Sequence, residues 1–115
     1  MRKIMLVCGL FVSFSVSAGQ LTGKVTMIQA GNGVTAEGVY AFVKFSNNPS
    51  GSTNTCISDT SGRMALNPGT AAGKTILSLL MQAKATNQTV EVVGTNACDV
   101  EGSLEDISYI KVLEN

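Results

Sequence analysis

Two cysteines, Cys56 and Cys98, are the sequence feature that most constrains how this chain can fold. A third, Cys8, lies inside residues 1–18, which we interpret as an export leader. Exported proteins meet an oxidising compartment, and two remaining thiols most simply pair with each other. The chain has no histidine and no Cys-x-x-Cys motif, so a zinc site or a thioredoxin-like site is poorly supported. We therefore expect a Cys56–Cys98 disulfide.

The start of the chain has the three parts of a secretory signal peptide. A positively charged beginning is followed by an apolar stretch over residues 4–16 and by small residues up to Ala18. A membrane anchor needs about 20 apolar residues, and a lipoprotein signal needs a small residue before Cys8, where the chain has valine. We predict cleavage between Ala18 and Gly19, which leaves residues 19–115 as one small secreted or periplasmic domain without a membrane span.

The charge of the processed chain is low and scattered. All eight acidic side chains lie after residue 18, whereas two of the eight basic ones lie in the leader, so the remaining domain is slightly acidic. The basic patch or stripe typical of a nucleic-acid-binding surface is missing, and so is a polybasic membrane-surface motif. We therefore predict no nucleic-acid partner.

Apolar periodicity and turn residues predict five strands and one helix. The strand patterns cover residues 21–30, 39–45, 63–66, 89–94 and 106–113. The helix begins after Asn67 or Thr70, either of which can cap it, and ends near Asn87. The order βββαββ is that of an OB-fold, a five-stranded Greek-key barrel with a helix between its third and fourth strands. A generic α+β sandwich is the alternative to this mainly β, OB-fold-like barrel.

Two elements carry more apolar residues than one face of a small sheet needs. The strand over residues 39–45 is almost continuously apolar, which indicates burial on both faces or a partner over its outer face. The helix has an apolar stripe that extends around much of its circumference. Its members are Ala72, Ile76, Leu77, Leu79, Leu80, Met81, Ala83 and Ala85. The helix is therefore either deeply buried in a monomer or shared between copies of the chain.

The positions of the cysteines predict an architectural role for their disulfide. Cys56 precedes the third predicted strand and Cys98 follows the fourth. Closing a loop of this length stabilises a chain by about 4 kcal/mol in the chain-entropy account. We expect the bridge to tie the two ends of this β-α-β segment and to hold the helix against the barrel.

No catalytic signature stands out. Without histidine, a Ser-His or Cys-His pair cannot form, and a hydrolase would have to use Ser78 and Lys74, an ordinary pair on one helix face. The segment over residues 69–75 (GTAAGKT) has three residues between its glycines, whereas a phosphate-binding loop has four. The acidic residues of the 99–106 segment lack the spacing of a calcium loop. We predict no enzyme activity, no metal and no cofactor.

The loop over residues 47–54 (NNPSGSTN) is the best candidate for a ligand-binding region. It offers many neutral hydrogen-bonding groups and no charge. Its candidate ligand-binding residues are Asn48, Ser50, Ser52 and Asn54. The absence of tryptophan argues against a strong stacking platform for a sugar ring.

Motifs spread over most of residues 19–115 carry a family resemblance. They are Cys56, then Gly73-Lys74-x-x-x-x-Leu79-Leu80-x-x-Ala83-Lys84-Ala85, then Val90-x-Val92-x-Gly94-x-x-x-Cys98. The combination resembles small exported bacterial proteins that are similar to the B subunits of AB5 toxins, notably of the subtilase-cytotoxin type. The resemblance implies an OB-fold protomer in a ring of five, with long helices lining a central pore and a rim that binds cell-surface glycans.

Two functions follow as expectations. The first is a non-catalytic binding module that forms a homo-oligomer, a pentamer by resemblance, and recognises a cell-surface glycan. The alternative is a structural or inhibitor-like periplasmic protein that binds a protein partner and has no sugar site.

Overall fold

The computed structural model of the chain describes residues 17–59 and 61–114, so residues 1–16 of the predicted leader lie outside the described residues. The elements are β1 (Gln20–Asn32), β2 (Val39–Phe45), β3 (Arg63–Leu66), α1 (Ala71–Thr86), β4 (Thr89–Gly94) and β5 (Ile107–Val112). The predicted order βββαββ and the mainly β class with one helix are confirmed.

The five strands form one antiparallel sheet in the order β3-β2-β1-β4-β5. The long central strand β1 pairs with β4 over Gln20–Lys24 and with β2 over Val25–Asn32. At the two edges, Ala65 of β3 makes a parallel bridge with Asp106, and its N–H donates to the main-chain oxygen of Glu105 at 2.9 Å. The two edges of the sheet therefore approach each other at this end, because the sheet curves around its inner face.

A β-bulge in β1 changes which side chains face the core. Simple alternation predicts that Val25 and Met27 share one face and that Ile28 lies on the other. The register shifts between Val25 and Met27, so Met27 pairs with Lys44 on the outer face while Ile28 pairs with the buried Val43. The alternation prediction is wrong here because one extra residue reverses the phase of every later side chain in the strand.

The main core lies between the inner face of the sheet and α1. It contains inward-facing residues of all five strands together with Leu80 and Ala83 of the helix, and Ile76 and Leu77 pack against it. Leu79 and Met81 are 38% and 57% exposed. The helix is therefore buried along one face only, and part of its wide apolar stripe faces outwards.

A second apolar cluster covers the outer face of β2 and β3. Ala65, Val100 and Leu104 are its buried members, and Tyr40 and Phe42 pack against it. Val100 and Leu104 come from the loop that joins β4 to β5. The outer face of the apolar strand over residues 39–45 is thus partly covered by its own chain, and Tyr40 and Phe42 stay half-buried there.

The ends of α1 follow local capping rules. The Thr70 hydroxyl accepts a hydrogen bond from Gly73 N–H at 3.0 Å, so the later of the two predicted helix starts is the one observed. Asn87 ends the helix with a left-handed backbone (φ 55°), and the Gln88 N–H donates to the Ala83 oxygen at 2.9 Å. Asparagine adopts this conformation at a smaller cost than most residues.

Candidate functional site

The disulfide joins two loops at one end of the sheet. Cys56 lies in the loop between β2 and β3, Cys98 lies in the loop between β4 and β5, and their sulfurs are bonded as predicted. The helix packs on β1, β4 and β5. The bridge therefore joins the two loops directly. Our expectation that it secures the helix stays a prediction, and the packing of α1 on three strands favours a direct effect on the loops.

Hydrogen bonds fasten the same two loops beside the disulfide. The side-chain oxygen of Asn96 accepts from the N–H groups of Thr53 and Asn54, both at 3.0 Å, and the Asn54 amide donates to the Asn96 main-chain oxygen at 2.9 Å. Asn96 has a positive φ of 61°, which asparagine tolerates better than most residues. The loop that was predicted to bind ligand is thus held in place by hydrogen bonds to the β4–β5 loop.

A buried carboxylate, that of Glu105, lies at the centre of this assembly. The residue is 1% exposed. Its Oε2 accepts hydrogen bonds from the N–H groups of Gly19 and Asn96, both at 2.9 Å, and its Oε1 accepts from the Ser52 hydroxyl at 2.5 Å. These three donors come from the start of the described chain, the β4–β5 loop and the β2–β3 loop, so one side chain connects three segments.

Asp106 is a second buried acid and holds the turn that follows Cys98. Its two carboxylate oxygens accept from the N–H groups of Asp99 and Val100 at 2.9 and 3.2 Å. Burial raises the pKa of the Asp106 carboxyl, and the nearby charges of Asp99 and Glu105 add to this, against the two hydrogen bonds. Two acids of the 99–106 segment therefore have structural roles, and the residues that the structure describes contain no group of three or more metal-binding side chains.

The raised pKa of Asp106 predicts a pH dependence of stability. Because the folded state binds the proton more tightly than the unfolded state, the contribution of Asp106 to stability is greatest below the unfolded pKa of 3.8 and declines as the pH rises through the folded pKa. The difference in unfolding free energy between the parent chain and Asp106→Asn should therefore shrink from about pH 3 to pH 7. Urea unfolding at several pH values measures it, and a difference that grows with pH would contradict the assignment.

The structure separates the four candidate residues of the 47–54 loop into two pairs. Ser52 donates to Glu105, and the Asn54 side chain bonds the Cys56 N–H and the Asn96 oxygen, so both stabilise the loop itself. Asn48 and Ser50 instead line an open groove of about 660 Å³ between the loop and the outer face of β1 and β4.

The groove has a rigid frame and exposed polar side chains. The main chains of Gln20 and Ser50 exchange two hydrogen bonds of 2.9 and 3.0 Å, and the Asn47 amide donates to the Thr22 oxygen at 2.5 Å. Within residues 17–59 and 61–114, no hydrogen bond occupies the side chains of the polar lining residues that remain. These are Gln20, Thr22, Asn48, Ser50 and Glu91.

An exposed aromatic residue lies on the same face as the groove. Strand register places Gln20 opposite Val93 and Val93 opposite Tyr109, and residues directly opposite in antiparallel strands point to the same face. Tyr109 is 46% exposed. Sequence reasoning missed Gln20, Glu91 and Tyr109. Strict alternation groups Tyr109 with the buried Ile107, but a register shift between Val93 and Gly94 turns Tyr109 outwards. Only strand pairing then brings it to the same face as Gln20 and Glu91.

A different, mostly apolar groove runs between α1 and β1. It has a volume of about 590 Å³, and its lining includes Ile28, Leu77, Met81 and Ala85, with Lys84 at its border. The Ser78 hydroxyl, on the exposed part of the helix, donates to the Lys74 main-chain oxygen at 2.9 Å. The pair considered for hydrolysis therefore meets through a main-chain carbonyl, and the Lys74 amine takes no part in the contact.

In the described part of the chain, no helix is long and apolar enough to cross a membrane. No protein-family model matches the chain, and searches of curated proteins and of solved structures found no significant match.

Proposed function

We propose that this chain is an exported, non-catalytic binding module with an OB-fold that recognises a glycan on the outer face of its sheet. The observation that carries the proposal is the groove beside Asn48 and Ser50, with a rigid frame and uncommitted polar side chains. The disulfide is compatible with a secreted or periplasmic location. The signal-peptide pattern in the sequence supports export, and the family resemblance supports the binding role.

The OB-fold assignment is supported by strand order and by the contact between the sheet edges. An OB-fold is a partly open Greek-key barrel of five strands. The order β3-β2-β1-β4-β5, the parallel bridge of Ala65 to Asp106 and the helix between β3 and β4 are what such a barrel requires.

The chemistry of the groove suits a carbohydrate. Gln20 and Asn48 each offer a side-chain donor and acceptor, Ser50 a hydroxyl, and Glu91 a carboxylate that accepts hydrogen bonds. Sugar hydroxyls both donate and accept hydrogen bonds and so need such mixed partners, whereas an apolar ligand would leave the polar side chains of the groove unpaired. Tyr109, two strands away from Gln20 and so about 10 Å distant, offers an aromatic face for a second part of the ligand.

Substitutions in the groove test the glycan proposal. On a glycan array the processed chain should retain a defined set of sugars, and the double variant Asn48→Ala/Glu91→Gln should bind them about tenfold or more weakly. The reason is that Asn48→Ala removes one hydrogen bond and Glu91→Gln turns a charge-assisted one into a neutral one. Gln82→Ala, on the exposed side of α1, is the control and should bind like the parent. A parent chain that ignores all sugars, or a double variant that binds normally, would reject the proposal.

The outward apolar residues of α1 support the proposed homo-oligomer. Leu79 and Met81 are exposed, and Met81 borders the apolar groove against β1. A second copy of the chain covering them would bury surface that a monomer leaves in water. Native mass spectrometry of the array sample measures the number of copies in the assembly, and the resemblance predicts a ring of five.

The alternative function is the binding of a protein partner in this apolar groove. One stoichiometric heterologous protein in the same spectrum would favour it.

A further inference from the structure

The carboxylate of Glu105 has no charged partner within the described residues. Its three hydrogen-bond donors are two main-chain N–H groups and one hydroxyl. Arg63 lines the same cavity, but its guanidinium pairs with Asp59. A carboxylate that is withdrawn from water is stabilised most by a cation that also donates a hydrogen bond. None of the three donors to Glu105 carries a positive charge, and a charged donor in place of one of them would stabilise its carboxylate.

One of those donors is the atom that the predicted leader cleavage would change. Glu105 accepts from the Gly19 N–H at 2.9 Å, and the signal-peptide pattern places the cut between Ala18 and Gly19. Hydrolysis of this bond adds one water and yields a carboxylate on Ala18 and an α-ammonium on Gly19. The nitrogen that gains the charge is the one already in contact with Glu105.

The surroundings of Gly19 hold it in this place. Its oxygen accepts from the Gly94 N–H at 2.8 Å, and the next residue, Gln20, pairs with Ser50. A Cβ added at Gly19 or at Gly94 would collide with the Glu105 carboxylate. Glycine at both positions therefore allows the Glu105 carboxylate to approach the Gly19 N–H.

From this geometry we infer that Glu105 is the binding site for the α-ammonium of the processed chain, so that leader removal completes the fold with a buried ion pair. The inference goes beyond ligand binding, and it rests on the proposed cut after Ala18. Before cleavage, Gly19 offers only a neutral amide to Glu105. After cleavage, the same contact becomes a charge-assisted hydrogen bond, which is roughly twice as strong as a neutral one.

The ion pair predicts a loss of stability at high pH. An α-amino group has an unfolded pKa of about 7.7–8.0, and a carboxylate partner raises the folded value. Its stabilising contribution is therefore complete below the unfolded pKa and is lost as the pH rises through the folded pKa. The other charges near the pair are Asp106, which follows Glu105, and the Arg63–Asp59 ion pair.

The test compares two exported chains purified with the disulfide formed. One begins at Gly19, and the other carries one additional alanine before Gly19, which moves the ammonium away from Glu105. Mass spectrometry first reads both N-termini. At pH 7 the unfolding equilibrium constant of the Gly19 chain should be about tenfold smaller. The difference should disappear near pH 10, and it should also disappear when Glu105→Gln is introduced into both chains, which closes a double-mutant cycle.

A second measurement does not depend on the Gln variant folding. In the Gly19 chain labelled with ¹⁵N at glycine, titration followed by NMR should give a pKa for the α-amine above its ordinary range. Equal stabilities of the two chains at pH 7, or an ordinary α-amine pKa, would overturn the inference. Cleavage at another bond would also overturn it and would leave the glycan proposal untouched, because the array experiment reads that separately.

Discussion

Removal of the Cys56–Cys98 disulfide is expected to lower the free energy of unfolding by about 2–5 kcal/mol, the usual cost of losing a native bridge in a small domain. The two loops that it joins should open before α1 does. The reason is that the loops depend on the bridge and on the Asn54–Asn96 hydrogen bonds, whereas the helix is held by Leu80 and Ala83 in the main core.

Hydrogen exchange under native conditions distinguishes these regions. In the double variant Cys56→Ser/Cys98→Ser, the N–H groups of Thr53 and Asp59, which bond across the two loops, should lose protection. Amides in the middle of α1 should keep most of theirs. The parent chain with its disulfide intact is the control, and reduction of the parent should reproduce the pattern. Equal loss of protection in α1 and in the loops would contradict this account.

Replacing Gly73 with alanine is expected to destabilise the protein by about 2–3 kcal/mol, the cost of overpacking against main chain. Glycine inside a helix is usually less stable than alanine by about 1 kcal/mol, so the sign here is opposite to the usual one. A Cβ at Gly73 would collide with the main-chain carbonyl of Asn67, and it would also crowd the Thr70 hydroxyl that caps the helix. Neither the carbonyl nor the cap can move without disturbing the helix start.

The matched control for this substitution is Gly102→Ala. A Cβ at Gly102 meets no atom within 4 Å, so its effect on the unfolding free energy should stay within about 0.5 kcal/mol. Urea unfolding of both variants, at equal oxidation state, measures the two effects. A Gly73→Ala chain as stable as the parent would show that the loop before α1 yields at little cost.

Much of the secondary structure could be predicted because its causes are local. The strand over Val39–Phe45 and the helix ending at Asn87 follow from neighbouring side chains and cap residues. The bulge after Val25 could not be predicted, because it depends on how β1 pairs with β2. Likewise, the outer cover of β2 comes from Val100 and Leu104, more than fifty residues later in the chain.

The candidate site could be predicted only in part. Asn48 and Ser50 lie in a polar loop and line the groove, as their polar side chains suggest. Ser52 and Asn54 have equally polar side chains but use them in hydrogen bonds that stabilise the loop. The difference comes from the acid and amide that meet them, Glu105 and Asn96, which belong to another loop. Hydrogen-bonding capacity can be read from a residue type, whereas its use depends on tertiary neighbours.

The sequence by itself determined the order of elements and the end of the helix at Asn87, because each depends on neighbouring residue types. The pairing of Cys56 with Cys98 followed from the count of cysteines after the predicted leader. Tertiary structure decided which segments that disulfide joins: it fastens two loops beside the buried Glu105. It also placed Gly19 against that buried carboxylate. These contacts join residues far apart in the chain and form only when the sheet curves and its edges meet. Local sequence patterns therefore cannot predict them.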